Sequence, residues 1–175
     1  SYWWIWRREV YNIMAATYGT LMVDPVKAVV DLLNGNWVDV DDGVGNSLVG
    51  VGSGTLKIDE SWDLGKYNLK NNDIIRCYET SGGHEMLGVG KGLDRHVASI
   101  AIDIATSVSR ERLRKLYHGV VHIIHAAHSR SATTAPLNTA YASIRLLSRT
   151  DQSDRNRRWY RYVLNCEITS YEVVN

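Results

Sequence analysis

The chain has 175 residues and a formal net charge of +1, so its length fits one domain and its bulk charge does not mark a polyanion binder. Apolar residues make up 45% and charged residues 22%, which supports a packed core and excludes a disordered chain. Two cysteines, Cys77 and Cys166, form no disulfide framework or metal-ligand spacing, and both read as free thiols in strands.

Residues 1–21 read differently from the rest. Arg7, Arg8 and Glu9 interrupt their apolar run, which excludes a spanning helix, and the segment lacks the charge order of a signal peptide. Met22 stands just before Asp24-Pro25, an N-cap with proline at the first helical position. The expectation is a domain that begins at Met22, with 1–21 a poorly ordered extension. The competing reading is an amphipathic arm that docks through its tryptophans.

From Asp24, residues Val26, Val29, Val30 and Leu33 share one helix face, and Asn34-Gly35 is expected to end the helix. Trp37–Val40 reads as a short strand. Residues 41–55, with five glycines, read as a mobile loop or flexible hairpin. A strand is expected at Leu56–Asp59 and another at Asp73–Glu79. Between that strand and the next, Ser81-Gly-Gly-His and Gly88–Gly92 read as a second flexible excursion.

The chain is organised around Arg95–His128. Positions 98, 100, 102 and 104 are apolar, with Ser99 and Asp103 between them, the period-two pattern of a half-buried strand. From Ser107 the period changes. Leu113, Leu116, Val120, Ile123, Ile124 and Ala127 fall three and four apart, as one helix face requires, and Ser107 or Ser109 can cap the start. Two further strands follow, over Tyr141–Arg149 and Arg158–Val173. The first places Arg145 and Arg149 outward; the second turns Tyr160, Tyr162, Leu164, Cys166 and Ile168 inward and Arg161, Asn165, Glu167 and Thr169 outward. This order predicts an α+β domain over 22–175, a mainly antiparallel sheet with two helices packed on one face.

Charge is unevenly placed. Residues 31–63 carry seven acids, Asp39, Asp41 and Asp42 among them, against Lys57 alone. Residues 145–161 carry Arg145, Arg149, Arg155, Arg157, Arg158 and Arg161 against Asp151 and Asp154. Opposite patches on one small domain suit head-to-tail self-association, and equally suit two solvated faces.

The catalytic motifs fail on spacing. Gly45-Asn-Ser-Leu-Val-Gly50 lacks the lysine and hydroxyl residue of a phosphate loop, and neither glycine cluster opens a helix. His84-Glu85 starts like a zinc-protease motif without the second histidine, and no nucleophile elbow is present. His118, His122 and His125 lie within a sector of about 60° on the long helix, facing away from its apolar stripe. No carboxylate or thiolate nearby in sequence completes a tetrahedral site there, so an exposed or interface stripe is expected. The arginines of 149–161, interleaved with aromatics, could bind single-stranded nucleic acid, but alternation sends Tyr160 and Tyr162 into the core. The expectation is a protein without catalytic residues, cofactor or metal.

Four stretches together resemble the tail-completion proteins of tailed viruses, the tail terminator and neck family. They are Met22-Val-Asp-Pro-Val-Lys-Ala-Val-Val-Asp-Leu-Leu, Ser99-Ile-Ala-Ile-Asp-Ile-Ala-Thr106, Ser109-Arg-Glu-Arg-Leu-Arg-Lys-Leu-Tyr and Trp159-Tyr-Arg-Tyr-Val-Leu-Asn-Cys-Glu-Ile. The resemblance spans 22–175; the N-terminal extension departs from it. It implies a non-enzymatic virion protein that forms a homo-oligomeric ring, a hexamer, at the end of the tail tube and joins it to the head connector, with DNA passing through. The acidic and basic segments would then meet between adjacent subunits, and the glycine-rich loops would dock on tube or connector. The alternative is a nucleic-acid-binding α+β module using 145–161.

Overall fold

The structure, a computed structural model, describes residues 24–37, 55–60, 69–70, 72–87, 93–129 and 135–173. Its elements follow in the order α1 (Pro25–Asn36), β1 (Thr55–Asp59), β2 (Asn72–Leu87), β3 (Leu93–Thr106), α2 (Arg110–His128), β4 (Ser143–Asp151) and β5 (Tyr160–Val173). The architecture is α+β, with two helices and a five-stranded sheet in the order β1-β2-β3-β5-β4. β1 runs parallel to β2; every other neighbouring pair is antiparallel. The N-terminal segment 1–21, the segment 38–40 and the glycine-rich stretch 41–54 lie outside the described residues.

Both helices start as their sequences dictate. The Asp24 carboxylate accepts the Val26 N–H at 2.9 Å, and the Ser109 hydroxyl accepts the Arg112 N–H at 3.0 Å. Ser107 has another task, donating to the Leu69 carbonyl at 2.7 Å. α1 does not end at Asn34-Gly35. It continues to Asn36, and Trp37, expected in a strand, closes it as a buried C-cap. Gly35 serves close approach instead of termination: a methyl there would come within 2.5 Å of the Ala135 Cβ. Asn36 fixes that approach, since its amide oxygen accepts the Ala135 N–H at 2.9 Å and its NH₂ donates to the Leu32 and Ala135 carbonyls.

The expected excursion at 81–84 is also corrected. β2 continues through Gly82-Gly83 to Leu87 and stays paired with β3 throughout. Glycine weakens a strand but does not break a ladder that both neighbours maintain. The pairing carries one bulge, at Glu79/Ser81, where the Thr80 hydroxyl donates to the Ser99 carbonyl at 3.1 Å. Residues 88–92 lie outside the described residues.

One face of the sheet supplies Ile75, Cys77, Ile100, Ile102, Ile104, Tyr162, Leu164, Cys166 and Ile168 to a single apolar cluster. Val29 and Leu33 of α1 and Leu113, Leu116, Val120, Ile123 and Ile124 of α2 join the same cluster. Most of these side chains are fully buried, each contributing on the order of 1.5–3 kcal/mol relative to exposure. Beside the cluster, Asp73 accepts the Thr106 hydroxyl at 2.6 Å and the Arg112 Nε at 2.7 Å, with Arg112 Nη2 at 2.6 Å. This buried triad ties β2, the end of β3 and the first turn of α2 together.

Candidate functional site

The charged residues singled out in the sequence are dispersed by the fold. Asp39, Asp41 and Asp42 lie outside the described residues. The six arginines divide among the opposite sheet face, the edge strand β4 and the β4–β5 turn.

Arg161 projects away from the apolar cluster and is held by Asp103. Its Nε and Nη2 each donate to one carboxylate oxygen at 2.8 Å, a bidentate pair with Asp103 only 3% exposed. The Asp103 hydrogen bonds raise the Arg161 pKa, partly offset by burial, so this cation stays charged. Arg76, the register partner of Asp103 on β2, is buried on the same face. Thr169, expected outward, is buried as well. Arg145 donates through Nε to Glu167 at 3.0 Å, its register partner on β5.

Arg149 corrects the expected alternation. A bulge at Leu146/Ser148 inserts one residue into β4, so Leu147 is half exposed and Arg149 crosses to the face of α2. There its guanidinium sits 4.8 Å from the ring centres of both Tyr117 and Tyr162. Arg149 is therefore a packing cation against two tyrosines.

The turn between β4 and β5 is built by Asp154, whose carboxylate accepts the N–H groups of Asn156 at 3.0 Å and Arg157 at 3.3 Å. An Asp154–Trp159 bridge closes it, and Arg158 takes a left-handed conformation at φ 51°. β5 consequently begins at Tyr160, two residues later than the sequence suggests. Arg157 lies 3.6 Å from Asp154, while Asp151 reaches across to Arg110 of α2 at 3.0 Å. Asp151 titrates below its ordinary range, first because Ser153 hydrogen-bonds it through hydroxyl and backbone, then because Arg110 and Arg149 are near. Among the described residues Arg155 and Arg158 make no ion pair, and both are exposed. These two, the weakly held Arg157 and Arg149, which is exposed beside its two tyrosines, carry their charge at the surface.

The histidine stripe His118, His122 and His125 is exposed along α2. Its neighbour His128 contacts the Ile144 carbonyl through Nδ1 at 2.9 Å, joining the helix end to β4. Cys77 and Cys166 are free and buried; burial pushes both thiols up, Cys166 to about 12, so neither is a nucleophile at neutral pH.

A cluster that sequence reasoning missed sits on the far half of the β2–β3 ribbon. His84 and His96 face each other across the ladder, and Asp94 lies two residues before His96 on the same face. His84 Nδ1 and His96 Nε2 lie 3.5 and 3.1 Å from Asp94 Oδ2. The signal was present: Asp94 and His96 have strand alternation, and His84 and His96 are equidistant from the middle of the Gly88–Gly92 connection. Reading 81–84 as a loop concealed it.

No family model matches the sequence, and no curated protein matches it. Among solved structures, a chain from the "Virion of native gene transfer agent (GTA) particle" superposes with a TM-score of 0.51 at 12% identity. The fold is shared with a virion chain. The likeness covers 85% of this protein and 95% of that chain, so it concerns the architecture as a whole. Among the described residues no helix is long and apolar enough to cross a membrane.

Proposed function

We propose that this protein is a non-enzymatic structural component of a phage-type virion, which assembles as a ring at the end of a tail tube and joins the tube to the head connector. The single observation that carries this reading is the whole-chain fold likeness to a gene transfer agent virion chain. The sequence resemblance to tail-completion proteins supplies the finer position in the tail, the homo-oligomer of six and the passage of DNA through its centre.

The arrangement of charge supports this reading. The β4 edge, at the end of the sheet, and the β4–β5 turn are the surface that meets a neighbour in this reading. Arg155, Arg157 and Arg158 project there, suited to the acidic residues Asp39, Asp41 and Asp42 of an adjacent copy. Arg145 and Arg161 are already paired within the chain and shape the surface instead of carrying its net attraction.

Light scattering of the full chain, across concentration and at two salt levels, is the test. A multi-subunit mass that falls as salt rises is expected. A monomer at every concentration, unchanged when tail tubes are added, would refute the assembly reading. The exposed arginine turn beside Trp159 supports a second reading, single-stranded nucleic-acid binding. Replacing Arg155, Arg157 and Arg158 by Gln separates the two: loss of nucleic-acid binding at constant mass favours the second, and loss of assembly favours the first.

A further inference from the structure

We propose that His84, Asp94 and His96 form a binding site for one divalent transition-metal ion of the zinc class, on the far half of the β2–β3 ribbon. The site is a product of strand pairing. Directly paired residues in an antiparallel ladder share a face, and residues two apart on one strand share it too. These rules place the His84 and His96 rings with centroids 4.2 Å apart and the Asp94 carboxylate beside both.

The spacing suits coordination. Zinc binds imidazole nitrogen and carboxylate oxygen at about 2.0–2.2 Å, so tetrahedral ligand atoms stand roughly 3.3–3.5 Å apart. The two measured separations from Asp94 Oδ2, 3.5 Å and 3.1 Å, are of that size, and all three ligand atoms lie within 4.8 Å of one another. His84 is the adjustable member, its side chain 69% exposed.

The electrostatics point the same way. Asp94 is 15% exposed in its side chain, and its second oxygen, Oδ1, is buried and accepts no hydrogen bond among the described residues. A shielded carboxylate favours a cation. The neighbouring Arg95 is turned to the other face of the ribbon, where it pairs with Glu85 at 3.2 Å and leaves Asp94 to the histidines. Two imidazoles and one carboxylate select zinc-class ions over magnesium or calcium. Three protein ligands leave a fourth position for water or for a donor from another molecule.

The test is calorimetric titration of the untagged full chain with Zn²⁺, together with the visible spectrum of its Co²⁺ form. One ion per chain is expected, with tetrahedral cobalt bands. His84→Ala and His96→Ala should each weaken binding by more than about 100-fold, because even loss of a supporting group around a metal ligand costs about 10–100-fold. A variant lacking His118, His122 and His125 should bind as the parent does. Absence of a stoichiometric site, or a site lost with the helix histidines and kept without His84 and His96, would overturn the proposal. Imidazole NMR resonances of the parent protein test the site without substitution: His84 and His96 shift on zinc addition, or the site is not there.

Discussion

The β2–β3 ribbon is one continuous hairpin whose two halves live under opposite rules. In the near half, Asp73 through Cys77 of β2 and Ile100 through Thr106 of β3 are buried, and even the charges are enclosed in partnerships such as Asp73 with Arg112 and Asp103 with Arg161. In the far half, Glu79 through Glu85 of β2 are exposed, and residues 94–99 of β3 are only half-buried. The backbone pairing is the same in both. The difference is one of cover: sixteen residues of strand extend about 50 Å, whereas the nineteen residues of α2 extend about 28 Å. Hydrogen-bonded pairing alone therefore does not decide whether a strand is core; the helices that lie on it do.

The sharpest way to break this contrast is chemical. Cys77, in the near half, should label with a maleimide only through global opening, at a rate slowed by about 10³-fold or more relative to the unfolded chain. A cysteine introduced by His84→Cys should label at once. Equal rates at the two positions would mean that the near half opens locally, and the contrast would fail.

Next in size is the buried triad. Arg112→Met leaves Asp73 charged and short of its partner, and should cost about 3–5 kcal/mol in urea unfolding. The double replacement Asp73→Leu with Arg112→Met should recover much of that loss. A smaller loss is expected from Gly35→Ala, about 1–3 kcal/mol, because the added methyl meets Ala135 where Asn36 holds the two segments together. In the uncovered half, His84→Ala without metal should stay within about 0.5 kcal/mol of the parent.

These features were unequally legible in the sequence. The strand-to-helix passage from Arg95 to His128 could be read because period two and period 3.6 each report a buried face, and both faces here are buried. The Asp73–Arg112 triad could not, since its members are 39 residues apart and nothing local marks them as partners. His84 was hidden by the Thr80 bulge as well as by the glycines. Strict alternation from Ile75 and Cys77 places odd-numbered residues toward the helices, and the extra residue reverses that parity. Arg149 was misassigned for the same reason at the second bulge. One inserted residue is invisible to a pattern count and moves every later side chain to the other face.

The smallest expected effect concerns Asp151. Its folded pKa is below the ordinary value of 3.8, so its contribution to stability is present above that value and is lost as pH falls through the depressed one. Ser153→Ala should raise the Asp151 pKa toward the ordinary value, measured by carboxyl NMR titration, with little change in stability at neutral pH. An unchanged pKa would transfer the cause to Arg110.

The bulge in β4 has a bearing on how copies of this protein can aggregate. Among the described residues β4 ends the sheet, and its outer edge pairs with nothing. A straight strand laid along that edge would be in step with residues 143–146 and out of step by one beyond Ser148. Edge-to-edge joining is thereby limited to about four residues, too short to propagate an endless sheet. The edge can accept a brief, directional graft while refusing to seed a fibre.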